Sequence, residues 1–144
     1  MVYGDTDLIN EEGRVVGQFN AQPTNYNRLM RGGVYIPRPA AFWRRSLWEK
    51  VGPLDPRYYF AMDYDLWIRF SKHTELVYVP SLWSAFRIHQ SGKTTNADDR
   101  CWPEMKDIHL NHGGNYVSLF MAKYFTRRIL SPIWKIYKKL KYSF

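Results

Sequence analysis

Three short stretches hold residue types that could do chemistry together. In Gly4-Asp5-Thr6-Asp7 two carboxylates are separated by one residue. At a strand end both can turn toward one point, and oxygen donors of that kind suit a hard cation such as Mg²⁺ or Mn²⁺ that also takes phosphate oxygens. The same triplet is common in surface turns, where Asp satisfies its own backbone. In Ala61-Met62-Asp63-Tyr64-Asp65-Leu66-Trp67-Ile68-Arg69, Asp63 falls at a helix start. There a carboxylate serves as a cap or a partner for the helix dipole, or, if it faces a cleft, accepts a proton from a hydroxyl. The third stretch, Phe86 to Thr94, contains Gly92-Lys93-Thr94, but a phosphate-binding Walker loop needs glycine five positions before Gly92, where Arg87 stands. What remains is a strand running into a polar loop. Arg87, His89, Ser91 and Lys93 either clamp a diphosphate there or make ordinary surface. His109 and His112, with Cys101 upstream, form an incomplete zinc set and are expected at the surface.

The elements that must position these groups follow from turn chemistry and periodicity. Leu8-Ile9 and Val15-Val16 flank Asn10-Glu11-Glu12-Gly13, which predicts a hairpin directly after the acidic pair, so that pair is expected where a strand ends. Asn25 to Met30 predicts a short helix closed by Gly32-Gly33, and Ser46 to Val51 another ended by Gly52-Pro53. Val34 to Ile36 and Ala40 to Trp43 read as short extended runs split by Pro37 and Pro39. Asp63 to Lys72 reads as a helix, with Leu66, Trp67 and Phe70 on its buried face. Leu76 to Val79 and Leu82 to His89 read as two strands around Pro80-Ser81. From Ala97 helix is expected, broken near Pro103, Gly113-Gly114 and Pro132.

Composition bounds what these elements can build. A chain of 144 residues fits one domain and removes roughly two-thirds of its unfolded surface from water. Six Trp and eleven Tyr exclude a disordered chain of low hydrophobicity. One cysteine, Cys101, rules out an internal disulfide and points to a reducing compartment. Met1 to Asp5 carries neither a basic leader nor an apolar run, so no export signal is expected. The formal charge of +8 is unevenly placed: seven of the 21 Lys and Arg fall between 123 and 141 with no Asp or Glu, leaving fourteen bases against thirteen acids before them. A near-neutral body with a cationic tail argues against a nucleic-acid surface and for a tail with its own partner.

Taken in order, Tyr3 to Asp7, Pro39-Ala40-Ala41-Phe42-Trp43-Arg44-Arg45 with Val51 to Asp55, Asp63 to Arg69, and Arg87 to Thr94 resemble family 2 glycosyltransferases over about residues 1 to 95. The resemblance implies an α/β chain with part of a GT-A fold: a mixed sheet with helices that lacks the N-terminal βαβ half and ends in a helical extension. The transferase part would cover 1–96 and the extension 97–144, with the basic amphipathic tail at 123–144. It further implies that Asp5 and Asp7, with His89 nearby, hold Mg²⁺ or Mn²⁺ on the diphosphate of a nucleotide-sugar donor. Asp63 would be the base toward a glycan or lipid-linked acceptor, with inversion at the sugar, and Arg87, Ser91 and Lys93 would be substrate neighbours. Asp65 and Trp67 would be structural. The chain departs from the family at Met62, where a glutamate usually precedes the base. The implied partner for the missing half is an oligomer or a separately encoded segment.

In the tail, Tyr124-Phe125, Ile129-Leu130, Ile133-Trp134, Ile136-Tyr137 and Leu140 interleave with the seven cations. That pattern suits a helix on an anionic membrane, or a terminal helix packed on the domain with a solvated basic face. The expected location is cytoplasmic, at the inner face of the membrane. A second reading of the whole chain is a catalytically inactive fragment acting as an adaptor through this tail.

Overall fold

The computed structural model describes residues 1–89 and 98–141. Within them the chain is mixed α/β, with a four-stranded sheet and five α-helices. The sheet is organised around β1 (Val2–Ile9), whose β-branched and aromatic Val2, Tyr3, Thr6 and Ile9 favour a pleated, half-buried strand. β2 (Val15–Phe19) pairs antiparallel with Thr6 to Ile9, β3 (Ala41–Phe42) pairs antiparallel with Val2 and Tyr3, and β4 (Val77–Arg87) runs parallel to β1 along its whole length. Since Val2 and Tyr3 meet both β3 and β4, and Thr6 to Ile9 meet both β2 and β4, β4 occupies one edge of β1. β3 and β2 follow one another along the other.

The predicted hairpin forms. Asn10 Oδ1 accepts from the Arg14 backbone N–H at 2.8 Å, and Gly13 takes the turn at a φ of 84° that other residues avoid. The acidic pair, however, does not sit at a strand end. β2 and β4 bond Thr6 to Ile9 from both sides, so β1 continues to Ile9 and both carboxylates lie in mid-strand. The two strands expected around Pro80 are one. Between Tyr3 and Asp5 the partners on β4 advance from Tyr78 to Leu82, and between Asp5 and Thr6 from Leu82 to Ser84, so a bulge absorbs Pro80 without ending the strand. Gly4 makes room for that bulge, because a Cβ on it would stand 2.6 Å from the Ser81 carbonyl oxygen and 2.7 Å from the Trp83 ring. Val34 to Ile36 forms no strand, although Ile36 is buried.

α1 (Tyr26–Met30) starts at Asn25, whose side chain accepts from the Arg28 N–H at 3.0 Å, and α2 (Arg45–Val51) stops at Gly52. α3 (Met62–Ser71) buries Tyr64, Asp65, Leu66, Trp67, Ile68 and Phe70, each apolar chain contributing about 1.5–3 kcal/mol. α4 (Asp98–Asn111) runs through Pro103, and α5 (Leu119–Lys141) runs through position 132; both were expected to break there. The predicted break at Gly113-Gly114 is present, with Gly113 at a φ of 92°. Met105 and Ile108 of α4 and Phe120, Met121 and Tyr124 of α5 lie in the same apolar cluster as Tyr3, Leu29 and Trp67. The residues after 97 therefore share the core of those before it.

Candidate functional site

On β1 the pleat places Tyr3, Asp5 and Asp7 on one face. Asp5 is tied down: its Oδ1 accepts from the Ala21 N–H at 2.8 Å and from the Tyr78 hydroxyl at 3.0 Å, and the same hydroxyl lies 3.2 Å from Oδ2. Burial and the adjacent Asp5 carboxylate both push the Tyr78 phenol above its ordinary value, which keeps it protonated as the donor. Tyr3 lies with its ring tilted against Tyr78 at 5.7 Å, donates to the Gln22 carbonyl, and is pushed up to about 12 by burial. Asp5 thus pins the segment leading into α1. Asp7 stands one step further on, between Gln18 of β2 and Ala85 of β4, both exposed. Half-buried, it makes no hydrogen bond among the described residues.

Asp63 lies in the first turn of α3, half-buried, with Oδ1 accepting from the Tyr64 N–H at 2.8 Å. The helix cap comes from elsewhere in the chain. Ala61 has no side chain for it, and Glu104 on α4 accepts from the Phe60 and Ala61 N–H groups at 2.7 and 2.8 Å. Beside it Asp107 accepts from the Tyr58 hydroxyl at 2.9 Å and the Asn111 amide at 3.1 Å. One face of α4 therefore holds the approach to α3.

Asp65 is the buried carboxylate of α3. It pairs with Arg69 at 2.8 Å and with His112 at 2.8 Å, while Arg69 also donates to the Val51 and Gly52 carbonyls. Burial alone would raise its carboxyl, but the His112 hydrogen bond and the Arg69 charge hold it below the ordinary value. Lys72 Nζ lies 3.0 Å from His112 Nδ1; an ammonium only donates, so Nδ1 accepts and Nε2 carries the proton given to Asp65. His109 is 3% exposed, stacked on Phe120 and bonded to Ser118. Both histidines expected at the surface are thus inward, one in the core and one donating to a buried carboxylate. Cys101 is half-buried.

Arg87 shares the Asp7 face of the sheet, yet its Nη1 donates to the Asn10 and Glu11 carbonyls at 2.7 and 2.6 Å, bracing the hairpin. His89 is exposed two residues beyond β4, roughly 13 Å along the strand direction from Ala85. Ser91 and Lys93 lie outside the described residues. Among the described residues no three metal-capable side chains gather, so Asp5, Asp7, Asp63 and His89 are not one cluster. A hard cation that keeps its waters needs only one or two carboxylates, and Asp7 with the outer oxygen of Asp5 fits that smaller requirement.

A cleft of about 640 Å³ lies at the other end of β1, lined by Val2, Phe42, Trp43, Arg44, Lys50 and His73 among others, with no carboxylate. It is roughly 16 Å along the strand from Asp7. No local signal marks Tyr78, Glu104 or His112 as partners of these groups. Each comes from a distant segment, and only register and helix docking bring it in. The architecture defines a mixed α/β protein. No protein-family model, curated protein or solved structure matches the chain.

Proposed function

We propose that this chain carries the metal and base side of an inverting glycosyl transfer from a nucleotide-diphosphate sugar to an acceptor hydroxyl. The observation that carries the reading is Asp7: a half-buried carboxylate without a hydrogen bond among the described residues, on the same strand face as Asp5 and beside two small or polar neighbours. Asp7 and the outer oxygen of Asp5 would hold Mg²⁺ or Mn²⁺, which when bound neutralises charge on the donor diphosphate. Asp63 would take the proton from the acceptor hydroxyl. His89, Arg87, Ser91 and Lys93 would be the donor's neighbours on the side of the β4 end. The sheet has two antiparallel pairings where GT-A sheets are mostly parallel, so the reading rests on the acidic residues and not on the fold.

Calorimetric titration of a panel of nucleoside diphosphates with and without Mn²⁺ tests it. Metal-dependent binding that Asp7→Asn weakens tenfold or more, and that Asp63→Asn leaves intact while abolishing transfer, is the expected result. Metal-independent binding, or none with any nucleotide, rejects the metal assignment. A second reading, a non-catalytic chain that keeps the core and works through its tail, is favoured by the engagement of Asp5 with Ala21 and Tyr78. It predicts no metal-dependent nucleotide binding at all.

A further inference from the structure

We propose that α5 is an interfacial helix whose apolar stripe lies in the surface of an anionic lipid bilayer. The inference is independent of the glycosyl-transfer reading and requires neither metal nor base. It starts from the side of the helix that meets the body. Phe120, Met121 and Tyr124 are buried and belong to the core cluster. At 3.6 residues per turn, Phe125 and Ile129 lie roughly 90° and 130° around the helix from the centre of that side. They are 49% and 74% exposed. In sequence, Ile133, Ile136 and Leu140 follow Ile129 at intervals of four, three and four residues, which continues one stripe along the helix.

Phe125 and Ile129 face away from the core, so the body does not cover the start of the stripe. A terminal amphipathic helix packed by its apolar side on its own domain is the opposite arrangement.

Charge selects the occupant. Between 123 and 141 the sequence has seven cations and no acid. A second copy of the same helix would bring like charges together, whereas anionic headgroups complement them. No helix among the described residues is long and apolar enough to cross a membrane. The helix spans about 34 Å and would lie in the interface plane. Exposed Val117 and Leu119, just before and at its start, add apolar surface to the same end of the molecule.

Co-sedimentation of the whole chain with phosphatidylcholine vesicles, with and without about one-third phosphatidylglycerol, tests the inference. Binding to the anionic vesicles alone, weakened by added salt, is expected. Lys138→Gln with Lys139→Gln should lower partitioning about twenty-five-fold at low salt, since each basic group near the surface is worth roughly fivefold. Phe125→Ser with Ile129→Ser should reduce binding about tenfold or more, while the circular dichroism spectrum and melting stay unchanged because both side chains are exposed. Equal binding to neutral and anionic vesicles, or binding untouched by the stripe variants, overturns the proposal. A concentration-dependent dimer without vesicles that the stripe variants abolish also overturns it, in favour of a second copy.

Discussion

The two carboxylates that look equivalent in Asp5-Thr6-Asp7 have different work. Asp5 accepts from a backbone N–H and a phenol on two other segments, whereas Asp7 makes no such bond among the described residues. Asp5→Ala strands the Ala21 N–H and the Tyr78 hydroxyl, and should cost about 1–3 kcal/mol in urea unfolding. Asp7→Ala should stay within about 0.5 kcal/mol of the parent while removing any Mn²⁺-dependent nucleotide binding. Equal destabilisation by both would show that Asp7 is structural too. The residue types were readable in the sequence, but this asymmetry was not, because Tyr78 lies in a strand whose register decides what it touches. Asp65 makes a second case. Its folded carboxyl lies below the ordinary value, so its contribution is complete above pH about 4 and is lost as pH falls through the folded value. Asp65→Asn should lower stability by about 3 kcal/mol at neutral pH, by leaving Arg69 without its anion. Its unfolding midpoint should also depend less on pH in the acid range than the parent's does.

Local signals placed most elements. The hairpin at Asn10 to Gly13, the short helix from about Asn25, the stop at Gly52 and the apolar spacing of α3 are each written within a few residues, and the structure forms them where expected. Elements shaped by distant partners were not legible. Pro80 reads as a strand break, yet the parallel pairing with β1 tolerates it inside a bulge, and Pro103 sits within α4, a helix whose Glu104 binds the approach to α3. The bulge supplies a direct test through Gly4. Its absent Cβ leaves space for a backbone carbonyl and an indole, neither of which can yield as a flexible side-chain end would. Gly4→Ala should cost about 1–3 kcal/mol by overpacking, read as a lower thermal midpoint. An unchanged midpoint would mean that the bulge at Ser81 to Trp83 is not held against β1.

How the whole chain coheres turns on the junction near residue 97. The sequence separates a transferase-like part from a helical extension on composition and resemblance, but apolar packing takes no account of either. Phe120 lies fully buried between His109 at 4.6 Å and Trp102 at 5.9 Å, and a Cβ on Gly32 would touch its ring at 2.8 Å. One side chain of α5 thus meets α4 and the end of α1 at once. Phe120→Ala should remove about 3–5 kcal/mol, a large share of the roughly 5–15 kcal/mol that a domain of this size has in total. If helices and sheet share one core, far-ultraviolet and near-ultraviolet signals should fall together in a single transition at a lower denaturant concentration, because the tryptophans of α2 and α3 lose their packing when α4 and α5 leave. Two separated transitions, with the aromatic signal surviving the first, would mean that the helices after 97 fold as their own unit. The cationic stretch after 130 would then hang from that unit and not from the body that holds Asp7 and Asp63.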